Sequence, residues 1–599
     1  MATDFKALKP KSPHGMILAV SMMKDEAPYL LEWYAHHLAV GFTDILVYTN
    51  DCSDGTVEML QRLEELGLGY HRYNIIADGV KPQPSAIRYA QDENIVARSD
   101  WMCLFDADEF LSINHPKGTI SEMLDDAGDA NGIVITWRIF GSGNVLDWSD
   151  DPVTEQYLYA APATWNKGWG VKTLFKFDPE YWRLGIHRPK IKSKHLKTGF
   201  PETVHWLNGS GRPMEDYFKF RGWRSIRRTV GYDWAQMNHY AVKSVDAYAI
   251  RKLRGNVNNK KDKYNADYWS LQDRNEVKDI AILKHSEKRA EIMAALLTDP
   301  VLKTYHEAAL ARVHHRLGEI KQTPEYKALK AELVKASLKP ITQVVAEPPQ
   351  KRDPNKIADL MSQVEKANSA RPKQERRTAP GMGFMDIEDG ADGYVPEVLD
   401  RSLDIPMEWV ANHDVLLPGD ARVFGSQALD LLIQGKFDRS TARSLSKLTQ
   451  DDLRFLDIST GVGFLPILAK MRAPGAAVMG VDDRAHLLSV GSEVVAKNGL
   501  DPNEVPLSPL SVLEQTELSQ PVLDLIKYFA PNLIRIAVQG GSAKLLDQLR
   551  AYRTSRIFIS ARLSDTDDAS VSARKIASRT RTMPPLASLF LSSIDEPQN

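Results

Sequence analysis

At 599 residues the chain is too long for one ordinary core, so two or three domains are expected. Hydrophobic residues make up 43% and charged residues 26%, a globular balance, and a formal net charge of -2 excludes a global nucleic-acid footprint. The two cysteines, Cys52 and Cys103, exclude a disulfide scaffold and a cysteine-based metal site, and they fit a reducing compartment.

Residues 1–14 read as a polar lead-in. The apolar run "GMILAVSMM" stops at Lys24 and Asp25, too short to span a bilayer and without a cleavage pattern. A cytoplasmic protein is expected, with peripheral contact at the inner face of a membrane as an open option. From Met16 strands and helices alternate. "MILAVSMM" and "DILVYTN" read as strands, and "APYLLEWYAHHLAVG" and "DGTVEMLQRLEEL" as helices, the second closed by Gly67. "WMCLFDADEF" and "NGIVITWRIFG" read as further strands. This alternation implies an α/β domain with a mostly parallel sheet, whose ligands bind at the carboxyl ends of the strands.

Between Ser149 and Arg228 the sequence looks irregular and is rich in Trp, Tyr, Gly, Pro and basic residues. Helices resume at "SVDAYAIRKLRG". The expected organisation is a first domain over 15–335, a Pro- and charge-rich linker over 340–393, a second α/β domain over 394–570 and a tail over 571–599.

The stretch "CLFDADEFLS" ends an apolar run with Asp106, Asp108 and Glu109. Unpaired buried carboxylates are costly and repel one another, so a cation is needed nearby. On an extended backbone Asp106 and Asp108 would project to one side, a pairing suited to Mg²⁺ or Mn²⁺ shared with substrate phosphates. "TNDCSDGT" puts more acids after the second strand. Asp54 and Thr56 are read as capping the following helix, leaving Asp51 to face the crevice.

Three segments in order resemble family-two-like glycosyltransferases: "SMMKDEAPYLLEWYAHHLAVGFTDILVYTNDCSDGT", "WMCLFDADEFLS" and "MNHYAVKSVDAYAIRKLRG". The resemblance covers roughly residues 15–260 and implies the nucleotide-sugar-binding GT-A fold. By resemblance Asp51 contacts the nucleoside and Glu26 helps fix the base or ribose. Asp106 and Asp108 hold Mn²⁺ or Mg²⁺ across the diphosphate of a nucleotide-diphosphate sugar donor, with His239 completing the metal shell or contacting phosphate. Lys172 and Lys243 are further phosphate contacts. An inverting transfer needs a general base. In the family it lies downstream of the DxD, where "RPMEDYFKF" offers Asp216, the first choice, and Glu215, with Glu202 another candidate. Histidines 36 and 37 are read as structural.

"FKFRGWRSIRRTV" gathers Arg221, Arg224, Arg227 and Arg228 among aromatic residues, and "GIHRPKIKSKHLK" is similarly basic. They could face an anionic acceptor, a lipid-linked diphosphate or membrane headgroups, or form solvated faces. His187 is a residue that could face the donor.

In the second domain "FLDISTGVGFLPI" resembles the first motif of class I methyltransferases, in which Asp457, Gly461 and Gly463 would hold S-adenosylmethionine. "VMGVDD" resembles the next strand, whose terminal acid, Asp482 or Asp483, would take the ribose. "NLIRIAVQGG" resembles a strand of FkbM-type methyltransferases but carries Ala537 and Gln539 in place of its acids, so a degenerate Rossmann-like domain is expected. The leading expectation is a metal-dependent hexosyltransferase-like enzyme of bacterial polysaccharide biosynthesis acting on a hydroxyl of a glycan or lipid-linked acceptor. The rivals are a bifunctional glycosyltransferase and methyltransferase, and a nucleotide-binding scaffold without turnover.

Overall fold

The computed structural model describes residues 4–254, 264–344, 393–395 and 407–541, together with 545, 548–549, 556–563 and 590–591. Most of the linker expected over 340–393, and all but two residues of the tail expected over 571–599, lie outside the described residues. The described chain forms two compact units, one up to Lys339 and one from Gly393 onward. Among the described residues no helix is long and apolar enough to cross a membrane.

The first unit opens with β1 (Ile17–Met23), α1 (Ala27–Val40), β2 (Asp44–Thr49), α2 (Thr56–Glu65), β3 (Tyr70–Tyr73) and α3 (Pro82–Gln91). Further strands are β4 (Trp101–Leu104), β5 (Glu109–Ile113), β6 (Gly132–Ile139), β7 (Tyr159–Ala160) and β8 (Val171–Lys176). A short hairpin of β9 (Trp182–Arg183) and β10 (Lys190–Ile191), then β11 (Trp206–Asn208) and β12 (Ala235–His239), complete the set used below. The main sheet runs β3-β2-β1-β4-β8-β6-β12-β5, with β11 beside β6. β1 is buried along its whole length because the sheet is covered on both faces. Its alternation delivers Ile17 and Ala19 to one core and Leu18, Val20 and Met22 to the other.

The sheet is mostly parallel, as expected, with β8 antiparallel between β4 and β6 and β5 antiparallel to β12. Two expectations are corrected here. β8 lies inside the region expected to be irregular; its Val171–Phe175 run is buried, but flanking Trp and Gly residues hide its periodicity. Secondly, "WMCLFDADEF" is not one strand. β4 ends at Leu104, residues 105–108 turn, and β5 begins at Glu109 beside a different neighbour. Asp106 and Asp108 therefore sit in a turn, and the alternation that would aim them to one side does not apply.

The helix starts meet the expectation in part. Asp54 Oδ2 accepts from the Ala27 N–H at 2.9 Å, and Thr56 Oγ1 accepts from the Glu26 N–H at 2.9 Å. These two side chains satisfy the amino end of α1, and Asp54 Oδ1 also accepts from the Thr56 N–H at 3.0 Å at the start of α2, as expected, beside Gly55 in the cap position. The positive φ of Gly41 (115°) closes α1.

The second unit carries a six-stranded, all-parallel sheet. In spatial order its strands are Leu507–Pro509, Ala477–Asp482, Arg454–Ile458, Leu533–Gly541, Arg556–Leu563 and Phe590–Leu591. A glycine-bearing turn joins the strand Arg454–Ile458 to the helix Phe464–Arg472, as read from the sequence.

Histidines 36 and 37 are structural. His36 Nε2 donates to the Leu111 carbonyl at 2.8 Å. His37 Nδ1 donates to the Trp33 carbonyl at 2.8 Å, and its Nε2 accepts from the Leu111 N–H at 3.4 Å. Together they pin α1 to β5. Burial holds both rings neutral, His37 down to about 3 and His36 well below its usual value. In the unfolded chain these rings take up protons near the ordinary histidine value while the folded ones do not, so stability is full above that value and is lost as pH falls toward 3. For His37 the first unit is expected to lose roughly 1.4 kcal/mol per pH unit between about pH 6 and pH 4, and His36 acts in the same direction. Urea titrations at stepped pH check this; His37→Phe should flatten the slope, and an unchanged slope would refute the assignment.

Candidate functional site

β1, β2 and β4 are mutually parallel, so their carboxyl ends meet at one edge of the sheet. β6 and β12 end at the same edge, because β8 runs antiparallel to both β4 and β6 and β12 runs parallel to β6. The chain therefore brings Glu26, Asp51, the Asp106–Asp108 turn and His239 to a common border. Lys172, near the start of β8, reaches the same border from the opposite direction.

The compensating charges come from the protein. Lys172 is fully buried, and its Nζ lies 3.4 Å from Asp106 Oδ2, 3.2 Å from Glu109 Oε2 and 3.2 Å from the Ile186 carbonyl. Gln83 donates to Asp106 Oδ1 at 3.0 Å. Arg251 Nη2 lies 2.7 Å from Asp108 Oδ2, and His239 Nε2 lies 3.8 Å from Asp108 Oδ1. The His239 ring stacks on Trp137 at 4.7 Å. Asp106 keeps about a third of its side chain exposed (34%), whereas Asp108 is buried. Burial works against the charge of Asp108, but Arg251, His239 and Lys243 together hold its carboxyl far below the usual range.

Glu109 has a different place. Its Oε2 accepts from the Asp106 N–H at 2.7 Å and so closes the turn. Its Oε1 is buried without a hydrogen-bond partner among the described residues. Burial pushes the carboxyl up to about 8, with Lys172 opposing the rise and Asp106 and Asp108 adding to it. Lys172 itself is held charged, despite burial, by Asp106 and Glu109.

Several sequence candidates change role. Lys172 has no exposed surface, so it orients Asp106 rather than reaching a phosphate. Lys243 is also buried, its Nζ 4.4 Å above the Tyr29 ring. Glu215 pairs with Arg228 at 2.5 Å, and Asp216 with Lys219 at 3.0 Å. Asp51 is exposed in a left-handed turn (φ 50°), and Glu26 stands half-buried at the start of α1. Arg251 lies within the quoted closing segment, but nothing in its spacing marked it as the partner of Asp108.

A cavity of 870 Å³ opens beside this border. The β9–β10 hairpin and the turn at 219–223 line it, with His187 and Trp223 on its wall. His187 Nδ1 donates to the Val171 carbonyl at 3.1 Å, which leaves Nε2 as the ring's proton acceptor. Burial, aided by Lys172 and opposed by Asp106, lowers the imidazole to about 4, so it is neutral at pH 7.

Does the border suit a divalent cation? Among the described residues no three His, Cys, Asp or Glu side chains cluster into a cage. A site that shares its ion with a diphosphate needs only one or two carboxylates. Asp106, part-exposed and fixed at both oxygens, fits that smaller demand, with Asp108 and His239 behind it.

In the second unit two of the expected acids, Asp457 and Asp482, are engaged, whereas Asp483, the alternative to Asp482, is exposed (59%). Asp457 accepts from Thr460 Oγ1 at 2.8 Å and from Arg535 Nη1 at 3.0 Å. Asp482 accepts from the Gly461 N–H at 2.7 Å and, one oxygen each, from Arg484 Nε and Nη2 at 2.8 Å. The Tyr394 ring covers Gly461 so closely that a Cβ there would come within 2.1 Å of it. Gly463, at φ 79°, supplies the turn into the helix. As placed, Asp457, Asp482 and the glycine turn do not fit S-adenosylmethionine: Asp482 is clamped by Arg484 and the turn is covered by Tyr394.

No protein-family model matches the chain. A stretch of 248 residues, 39% of this chain, is 22% identical to a glycosyltransferase family 92 protein of Ricinus communis; it spans 41% of that relative's length. Among solved structures, residues 1–349 of S. aureus TarS align over 54% of this chain and 80% of theirs at 10% identity (TM-score 0.21). The complex of the same TarS fragment with UDP aligns over 55% and 89% at 11% identity (TM-score 0.20). A Pyrococcus abyssi tRNA (uracil-54, C5)-methyltransferase with bound S-adenosyl-L-homocysteine aligns over 30% and 39% at 16% identity (TM-score 0.20).

Two outcomes follow from this geometry. Lys172→Met should destabilise the first unit by about 3 kcal/mol at pH 8.5, because it strands buried carboxylates. The loss should shrink at pH 6, where Glu109, with its value of about 8, already carries a proton. Equal losses at both pH values in denaturant titrations would contradict the charge assignment. Titration calorimetry of the full chain with S-adenosylmethionine should give no saturable heat; micromolar binding would show that Arg484 and Tyr394 yield.

Proposed function

We propose that the first unit is a glycosyltransferase that takes a nucleotide-diphosphate sugar and transfers the sugar to a hydroxyl of a glycan or lipid-linked acceptor. One observation carries this reading: the strand ends gather Glu26, Asp51 and the Asp106–Asp108 turn at one border, beside an open cavity. The likeness to a glycosyltransferase family 92 protein supports it.

In this reading Asp51 and Glu26 meet the nucleoside, and Asp106, with Asp108 and His239 behind it, holds Mn²⁺ or Mg²⁺. A bound cation would neutralise charge developing on the departing diphosphate. Lys172 and Gln83 keep the Asp106 carboxylate in one orientation, and Arg251 does the same for Asp108. Preset charges of this kind need no reorganisation during the reaction.

The proton acceptor is better read as His187 than as Asp216 or Glu215. Both acids are engaged by cations, whereas His187 lines the cavity with a neutral ring and an acceptor nitrogen. Inverting transfer with His187 as base would retain its acidic limb near pH 4, since protonation below that value removes the acceptor lone pair.

The test is release of nucleoside diphosphate from a panel of nucleotide sugars with and without Mn²⁺. Asp106→Asn should cut turnover by about a hundredfold or more. Undiminished turnover would remove Asp106 from the site, and no turnover with any donor would favour a binding scaffold. His187→Gln should lower transfer by roughly 10²–10⁴ without weakening donor binding. If Asp216→Asn shows that loss and His187→Gln does not, the base is Asp216.

A further inference from the structure

The cavity beside the carboxylate border has a chemistry that transfer to a hydroxyl does not itself require. Arg183, Arg188, Lys190, Lys192, Lys219 and Arg221 all line it, and no lining residue is acidic. They come from separate segments, the β9–β10 hairpin and the turn after residue 218, so the fold has converged them. Lys219 pairs with Asp216, which lies off the lining, at 3.0 Å. Arg188 spends donors on the Gly222, Pro189 and Lys219 carbonyls, which fixes its guanidinium against the cavity wall. Arg221 Nη1 is buried without a hydrogen-bond partner among the described residues. A buried donor left unmatched is costly, and like charges around one space repel. Both costs fall when an anion enters.

The remaining lining is apolar or aromatic, with Ile186, Leu196, Phe220 and Trp223. A volume of 870 Å³ lies within the range of sites for small organic ligands. The cavity also shares a wall with the carboxylate border. The Ile186 carbonyl on its lining accepts from Lys172 Nζ, the group that orients Asp106.

We propose that this cavity is an acceptor subsite selecting sugars that carry an anionic group, phosphate or carboxylate. The inference rests on the glycosyltransferase reading for the word acceptor, but its ligand chemistry stands on the cavity alone. The guanidinium groups would take the anion by paired N–H donors, and Trp223 and Phe220 would offer flat apolar surface to the ring that bears it.

The experiment is titration calorimetry of the full chain at low salt with three soluble probes: a galacturonate oligomer, mannose 6-phosphate and a neutral galactose oligomer of matched length. The anionic probes should bind at least about tenfold more tightly than the neutral one. Arg183→Gln with Lys190→Gln, both exposed positions, should weaken anionic binding by about tenfold or more, with Arg221→Gln as the second variant. An unchanged melting temperature establishes that each variant is folded. The tighter of the two anionic arms identifies the group as phosphate or carboxylate.

Equal affinity for neutral and anionic probes would overturn the proposal, as would anionic binding that ignores both variants. Competition between UDP and the anionic probe would place the cavity in the donor site instead. Binding to phosphatidylglycerol vesicles, lost in the same variants, with no binding of soluble probes, would reassign the face to a membrane surface. Donor hydrolysis without anionic-sugar binding sinks this inference alone. Anionic-sugar binding without hydrolysis of any donor sinks the transfer reading alone.

Discussion

Everything at the candidate site depends on how three carboxylates coexist at the end of one short strand. Asp106, Asp108 and Glu109 lie within four residues, two of them buried, and no fold can leave such charges uncompensated. The protein meets the demand with cations drawn from distant segments: Lys172 from β8 and Arg251 from the helix Val245–Arg254. Each also limits freedom. Lys172 has no exposed surface and contacts both Asp106 and Glu109, so it holds the turn against β8. Arg251 ties the turn to a helix more than a hundred residues away in sequence.

That arrangement separates the acids by role. Glu109 accepts the Asp106 N–H, its backbone carbonyl accepts from Trp33 Nε1 at 3.1 Å, and burial raises its carboxyl to about 8. It is a structural acid that joins the turn to α1. Asp108 is held charged by Arg251 and stays behind the surface. Asp106 alone keeps an exposed face while both its oxygens are oriented from behind. A carboxylate that is both oriented and open is the one best suited to meet a cation arriving with its own phosphates.

Much of this was legible in the sequence, and the failures have physical causes. β1, β2 and β6 announce themselves because strands buried on both faces read as continuous apolar runs. The turn at 105–108 was hidden because its residues continue the apolar and acidic pattern of a strand; only the change of partner from β1 and β8 to β12 reveals it. β8 was hidden by its flanks of Trp and Gly. The roles of Lys172 and Arg251 were out of reach, since an ion pair between positions 108 and 251 leaves no local signature. Asp54 was recognised as serving the start of α2, and it does accept the Thr56 N–H there, but its other oxygen and Thr56 Oγ1 serve the start of α1, which precedes them by a strand.

The second unit shows how a recognisable motif can be spent on structure. Its strand, glycine turn and helix are in place, and so are the acids at both strand tips. Yet Asp482 has both oxygens on Arg484 and one on the Gly461 N–H, and Asp457 is balanced by Arg535. In the first unit one acid keeps an open face after compensation; in the second Asp457 and Asp482 are buried and engaged, and the exposed acid beside them is Asp483. The contrast turns on exposure rather than on the presence of acids. A motif identifies residue types at a spacing, but whether a ligand can use them depends on what the rest of the chain has already placed against them.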